Sequence, residues 1–191
     1  MIYYTCSYLP LEVLMGSDIA FQRLMTSSPT SSHELGCNLC GYAKTVYQKG
    51  MELDSNDCLL IVDSCDAMRR VGDLLDELSL ANVFILRLPW KRDGESVRFL
   101  AVEIQRLVYF LESSGISVDL REGILRFNKL VDFVQANEKR LAAGDLSNLY
   151  LQALNGMQAT YTSKYGATLG KSRLAITGGI TDIVALDEAV K

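Results

Sequence analysis

Hydrophobic residues recur along this chain at two spacings, which together predict alternating strands and helices. The apolar run Cys58–Val62 predicts a strand over Cys58–Asp63, and a near-continuous apolar run predicts another over Val83–Leu88, which would be covered on both faces. Between them, the amphipathic segment from about Asp66 to Leu78 predicts a helix. A strand, a helix and a second strand at this spacing form a βαβ unit. We therefore expect an α/β fold with a mainly parallel, Rossmann-like sheet.

The segment before this unit predicts further short elements. A helix from about Pro10 to Met15, with Gly16 as its stop, is followed by a short strand around Ile19–Leu24. After a Ser/Thr/Pro-rich loop, apolar positions at helical spacing predict a second helix over Cys37–Lys49. Cys40 then lies near the beginning of that helix.

The segment after the unit predicts a helical insertion and then the beginning of another domain. One long helix runs from Gly94 until Gly115 closes it, Asp119 caps the next, and a third covers Leu146 to about Thr162, so residues 94–162 are mainly helical. A strand at Ser172–Ile176, a tight turn and a helix start follow. We expect one α/β domain over residues 1–171, with residues 172–191 as the truncated start of a second.

Size and charge exclude several classes of protein. The chain has 191 residues, of which 49% are hydrophobic, enough for one substantial core. Its net charge is −4 with dispersed basic residues, which disfavours a nucleic-acid partner. It contains neither an apolar run of membrane-spanning length nor the pattern of a signal peptide. We predict a cytoplasmic protein that does not bind a membrane.

Three of the five cysteines lie in comparable positions. With no export signal and an odd number of cysteines, free thiols, metal ligands or catalytic thiols are favoured over a disulfide framework. Cys6, Cys40 and Cys65 each lie beside a predicted helix start, where the helix dipole favours a thiolate. Their neighbours are small or polar, which leaves room for a cofactor. Three thiols from three element ends can converge on one site.

The pattern alone leaves the chemistry of these thiols open. Cys37 and Cys40 form a single CxxC motif, which fits a redox dithiol, half of a zinc site or two buried thiols. A structural zinc site normally takes four ligands, and the chain has no second CxxC pair. Three thiolates suit an iron–sulfur cluster that leaves one iron open. We interpret Cys37 as a neighbour of the site, and Cys58, inside an apolar strand, as a core residue.

Other candidate residues carry weaker signals. His33, the only histidine, lies in the Ser/Thr/Pro-rich loop, where we expect a solvated side chain and not a catalytic base. Gly178 and Gly179 form a turn that lacks the spacing of a phosphate-binding loop. Trp90–Asp93 follows a strand at its carboxyl end, where α/β proteins bind ligands, but we interpret it as an ordinary exposed loop.

Several segments resemble one known family. The segments Cys6–Glu12 and Ser64–Arg69 (SCDAMR), with that around Cys40, are similar to the cluster-binding subunits of the 2-hydroxyacyl-CoA dehydratase D-component family, which also includes benzoyl-CoA reductase subunits. The stretch from Leu88 to Gly115 is similar as well. The resemblance extends from Tyr4 to the turn at Gly178 and Gly179, and the SCDAMR segment is its most specific part.

The resemblance implies a cofactor, a substrate class and partners. It implies a [4Fe-4S] cluster held by Cys6, Cys40 and Cys65, with Cys37 as the alternative to Cys40. It also implies a low-potential electron from a separate ATP-dependent iron–sulfur activator protein, an acyl-CoA thioester as substrate and a second homologous subunit. Members carry a second α/β domain, which makes this chain similar to the N-terminal, cluster-bearing half.

Other functions remain open at this point. A cluster-dependent reductase of another small molecule uses the same cysteines. A non-catalytic electron-relay or interaction subunit keeps the fold and the cluster without binding substrate. A domain that binds zinc or no metal is the simplest alternative.

Overall fold

A four-stranded parallel sheet organises the part of the chain that the structure, a computed structural model, describes: residues 1–25, 39–78 and 82–137. The strands are β1 (Ile2–Tyr4), β2 (Phe21–Arg23), β3 (Cys58–Val62) and β4 (Val83–Leu86). They lie in the order β2-β1-β3-β4, and every neighbouring pair is parallel. The predicted α/β fold with a parallel, Rossmann-like sheet is confirmed.

The central position of β3 in the sheet explains why its sequence is continuously apolar. It pairs with β1 on one side and β4 on the other, so that Leu60 lies opposite both Tyr4 and Phe84. All five residues of β3 are buried. A strand with neighbours on both edges and helices on both faces has no solvent-facing side, which is why its sequence is continuously apolar.

Five helices accompany the sheet in the described residues. Their bounds are α1 (Leu11–Met15), α2 (Gly41–Met51), α3 (Asp66–Glu77), α4 (Gly94–Ser113) and α5 (Leu120–Asn137). The helix predicted over Cys37–Lys49 begins at Gly41, because Cys40 has the extended backbone of an N-cap (φ −66°, ψ 157°). The strand predicted around Ile19–Leu24 contracts to the three residues of β2.

Helices α2 and α3 cover one face of the sheet. Their apolar sides meet alternate residues of β3 in a buried cluster that comprises Ala43, Val46, Leu59, Ile61, Met68, Val71 and Leu75. Gly50 allows the two helices to approach closely, since a Cβ atom at this position would lie 2.7 Å from Leu75 Cδ1. This contact lies in the last turn of α2, so the C-terminal part of the helix packs directly against α3.

Helix α4 covers the other face. Phe110 packs against Phe84 of β4 with ring centroids 5.3 Å apart, and Leu107 and Leu111 are fully buried. Cys58 is buried, and burial raises the pKa of its thiol. The prediction that Cys58 is a core residue is confirmed.

The predicted junction between α4 and α5 is also confirmed. Gly115 adopts a left-handed conformation (φ 80°), and the N–H of Ile116 returns to the Leu111 carbonyl at 3.0 Å, as in a Schellman C-cap. Asp119 then caps α5, because its Oδ1 accepts a hydrogen bond from the Glu122 N–H at 3.0 Å.

Several predicted features lie outside the described residues. They are Cys37, His33, the helix at Leu146–Thr162, the strand at Ser172–Ile176 and the turn at Gly178 and Gly179. The chain divides into two compact units, Met1–Arg126 and Phe127–Lys191, and most of the second is likewise not described. The predicted domain boundary near residue 171 stays a prediction. No helix in the described ranges is long and apolar enough to cross a membrane.

Candidate functional site

The carboxyl edge of the sheet contains a topological switch point between β1 and β3. The chain leaves β1 towards β2 on one side, and the crossover through α2 returns it to β3 on the other side. In open α/β sheets the crevice outside such a pair of strand ends is where ligands bind. Cys6 follows β1 and Cys65 follows β3, so these two cysteines flank the crevice.

Cys6 is positioned by the residue before it. Thr5 is fully buried; its N–H donates to the Leu60 carbonyl at 3.2 Å, and its hydroxyl accepts from the Val62 N–H at 3.3 Å. These bonds fix the end of β1 against β3. The Cys6 carbonyl accepts from the Leu9 N–H at 3.1 Å, which closes a turn, and the Cys6 side chain is half-buried.

Cys40 is the N-cap of α2, as its predicted position near the helix start required. Its Sγ accepts a hydrogen bond from the Ala43 N–H at 3.5 Å, and its carbonyl accepts from the Lys44 N–H at 3.2 Å. The side chain is exposed. The sulfur thus partners a backbone donor of the first helical turn and still faces solvent.

Tyr42 connects the start of α2 to the strand ends. Its hydroxyl donates to the Thr5 carbonyl and lies 3.1 Å from the Leu24 carbonyl. Burial raises the pKa of Tyr42; the Arg23 guanidinium beside it acts in the opposite direction, and negative charge at Cys6 and Cys40 raises it further. The phenol therefore stays protonated as a hydrogen-bond donor.

Cys65 is the N-cap of α3 with a fully extended backbone (φ −156°, ψ 166°). Its side chain is exposed and makes no capping hydrogen bond. The segment that leads to it is held by Asp63, whose carboxylate accepts from the Leu88 N–H at 2.8 Å. Cys65 therefore has a fixed backbone approach and an unconstrained thiol.

The loop after β4 lies at the same edge. The Trp90 side chain is 85% exposed, and the Arg69 guanidinium of α3 stacks over its ring at 5.3 Å from the centroid. The buried Glu103 carboxylate accepts from the Arg87 N–H at 3.1 Å and pairs with Arg106, which holds the end of β4 against α4. The interpretation of this loop as exposed is confirmed.

The three predicted cysteines reach one edge of the sheet but are not assembled into a metal site. Among the described residues, no three His, Cys, Asp or Glu side chains stand close enough together to hold a metal ion. The Tyr42 hydroxyl joins the start of α2, which carries Cys40, to the residue directly before Cys6, whereas Cys65 lies between β3 and α3. Cys37 belongs to the part of the chain that the structure does not describe.

The chemistry of these donors fits an iron–sulfur group. All three are free thiols that are at least partly accessible. Thiolates are the usual ligands of iron–sulfur clusters, and hydrogen bonds to their sulfurs tune the potential. The bond from the Ala43 N–H to Cys40 Sγ is of this kind. The positive ends of α2 and α3 offset the negative charge that such a site gathers.

Comparison with protein families identifies the class of protein. The family model described as "2-hydroxyglutaryl-CoA dehydratase, D-component" matches residues 6–174, which is most of the chain and begins at Cys6. The chain therefore belongs to the 2-hydroxyglutaryl-CoA dehydratase D-component family, and the resemblance noted in the sequence is confirmed. No curated protein matches the chain.

Sequence reasoning missed the residues that position the thiols. In the sequence Tyr42 is one of the apolar positions that predict the helix over Cys37–Lys49, and no pattern singles out Thr5 or Arg23. A usable signal was present, because Thr5 directly precedes one candidate cysteine and Tyr42 follows another by two residues.

Proposed function

We propose that this chain is the cluster-binding part of a 2-hydroxyacyl-CoA dehydratase-like or benzoyl-CoA reductase-like enzyme. In this proposal Cys6, Cys40 and Cys65 hold a [4Fe-4S] cluster. The observation that carries it is the approach of three free thiols to the switch-point edge of a parallel sheet, in a member of this dehydratase family.

In this proposal the cluster supplies the chemistry, and the residues of the chain position its ligands. When bound, such a cluster supplies one-electron reduction at low potential and a Lewis-acidic iron. The chain's own residues bring the ligands to one place: Thr5 fixes the approach of Cys6, Asp63 that of Cys65, and the N-cap geometry of α2 that of Cys40. At the start of α2 the Ala43 N–H also donates to Cys40 Sγ and holds this ligand in place.

The substrate and partners follow from the same proposal. The thioester carbonyl of an acyl-CoA is the group to be reduced, and an ATP-dependent iron–sulfur activator supplies the electron. A second homologous subunit completes the enzyme. The cytoplasmic location predicted from the sequence belongs to this proposal as well.

Metal analysis of cysteine variants tests the ligand set. The full chain is purified without oxygen, analysed for iron and sulfide, and examined by electron paramagnetic resonance after reduction. We expect about four irons per chain, lost in Cys6→Ala, Cys40→Ala and Cys65→Ala. Cys37→Ala and Cys58→Ala are the matched controls and should retain them. Zinc or no metal in reconstituted material would contradict the proposal. If iron is lost in Cys37→Ala and retained in Cys40→Ala, then Cys37 is the ligand in place of Cys40.

Substrate addition tests the reaction class. An acyl-CoA thioester that binds beside the thiols should change the resonance spectrum of the reduced protein in the presence of its partner subunit. A spectrum that no acyl-CoA changes would instead favour an electron-relay subunit.

A further inference from the structure

One side chain joins the segments that carry Cys6 and Cys40. The Tyr42 hydroxyl, two residues after Cys40, donates to the carbonyl of Thr5, the residue directly before Cys6. The same hydroxyl lies 3.1 Å from the carbonyl of Leu24, just past β2. A single phenol thus meets the ends of two strands.

The Thr5 carbonyl is available to Tyr42 because the Thr5 hydroxyl takes its place as the acceptor of a hydrogen bond in the sheet. In a regular parallel ladder the Val62 N–H would bond to the Thr5 carbonyl. Here it donates to the Thr5 hydroxyl at 3.3 Å, while the Thr5 N–H keeps its bond to Leu60 at 3.2 Å. The end of β1 therefore stays hydrogen-bonded to β3, while the Thr5 carbonyl accepts from Tyr42 of α2.

We propose that Tyr42 is a positioning residue that makes Cys6 and Cys40 a preformed pair of thiols, which Cys65 joins only when a metal group binds. The proposal deepens the proposed function, and it rests on that function only for the identity of the metal group. The pair itself is a property of the metal-free chain.

Both members of the pair are held at their backbones. Cys6 follows the locked Thr5, and its own carbonyl closes a turn with Leu9. Cys40 Sγ is further held by the Ala43 N–H at 3.5 Å, one residue beyond Tyr42. Cys65 differs, since its thiol makes no capping bond at the start of α3. Cys6 and Cys40 are therefore held in place by hydrogen bonds, whereas the Cys65 thiol makes no such capping bond.

A trivalent arsenical tests the pair without iron. Phenylarsine oxide condenses with two neighbouring thiols: two As–S bonds form, the arsenic oxygen leaves with both thiol protons as one water, and nothing is oxidised or reduced. The experiment uses the full-length, metal-free chain with Cys37→Ser, which removes the CxxC alternative. We expect tight binding of one arsenical per chain, lost with Cys6→Ser or Cys40→Ser and retained with Cys65→Ser. No binding, or binding that depends on Cys65, would overturn the proposal.

Tyr42→Phe tests the role of the hydroxyl in the same background. We expect about fivefold weaker arsenical binding, the effect of one lost hydrogen bond of about 1 kcal/mol. Tyr47→Phe, which removes a hydroxyl from the same helix, is the matched control and should bind like its parent. Equal affinities for the two variants would overturn the assignment of Tyr42.

The buried thiol of Cys58 separates positioning from general loosening. It is 2% exposed and should resist alkylation equally in the parent, Tyr42→Phe and Tyr47→Phe. Faster alkylation of Cys58 in Tyr42→Phe would assign Tyr42 a merely structural role. If the arsenical results hold while iron and sulfide are absent from anaerobic material, the pair stands and only the proposed cluster fails.

Discussion

The Thr5 hydroxyl accepts a hydrogen bond from the backbone N–H of Val62 at 3.3 Å, and both residues are fully buried. The same hydroxyl lies 3.4 Å from the Leu60 carbonyl as a donor. A threonine side chain therefore continues the sheet one step beyond β1, at the point where the chain turns towards Cys6.

Thr5→Val should destabilise the protein. Valine has nearly the same shape, but it leaves the buried Val62 N–H without its acceptor, which costs about 1–3 kcal/mol. Urea unfolding measures the difference. Ser113→Ala is the control, because the exposed Ser113 hydroxyl donates to the Phe110 carbonyl within its own helix; a change within about 0.5 kcal/mol is expected there. Equal losses in the two variants would show that the Thr5 hydroxyl contributes nothing specific.

Gly123→Ala should destabilise the protein strongly, because α5 and the end of α1 meet backbone to backbone at this glycine. A Cβ atom at Gly123 would overlap the Glu12 carbonyl oxygen and lie 2.7 Å from the Gly16 nitrogen, so backbone atoms would have to shift. We expect a loss of about 3 kcal/mol or more, at the upper end of overpacking effects. Thermal or urea unfolding provides the measurement.

Gly94→Ala is the matched control for that substitution. Gly94 begins α4, and a Cβ atom there would have no neighbour within 4 Å. Alanine favours helix over glycine, so we expect stability to be unchanged or raised by up to about 1 kcal/mol. A similar small effect for Gly123→Ala would contradict the close approach of α5 to the end of α1.

The N-cap of α4 should make stability depend on acidity. Asp93 accepts a hydrogen bond from the Ser96 N–H at 2.8 Å, and this bond holds the pKa of its carboxyl below the ordinary value of 3.8. A lowered pKa in the folded state stabilises the protein above the unfolded-state pKa, and that contribution disappears as the pH falls through the folded-state value.

Asp93→Asn isolates this effect. Asparagine caps a helix about as well as aspartate, so the two proteins should have similar urea midpoints at pH 7. Below about pH 4 the native protein should lose more stability than Asp93→Asn, because only the native cap titrates. Parallel curves for the two proteins over this range would refute a charged cap.

Local patterns predicted most of the described elements because the residues that form them are also local. The apolar run of β3 and the amphipathic helix after it were visible in the sequence, since burial on two faces or on one face leaves a direct signature. The stop at Gly115 and the cap at Asp119 were visible for the same reason. Cys58 could be assigned to the core from its apolar neighbours alone.

The contacts that form the candidate site join residues far apart in the sequence, and no local sequence pattern predicts them. Tyr42 lies in an apolar stripe, and its hydroxyl partner Thr5 is 37 residues away. Glu103 sits among the polar positions of a long helix, yet it is 4% exposed, and the Arg87 N–H and the Arg106 guanidinium satisfy its carboxylate. These contacts depend on the order of the strands and on the crossover connections between them, which the spacing of apolar residues does not reveal.

The stack of Arg69 on Trp90 gives this chain a built-in optical reporter. Trp90 is the only tryptophan in the sequence, its ring is 85% exposed, and its cationic neighbour lies one turn into the helix that Cys65 caps. Indole emission responds to nearby charge and to solvent. Any event that moves the first turn of α3, such as recruitment of Cys65 by a metal group, therefore changes the fluorescence of a single, unambiguous residue.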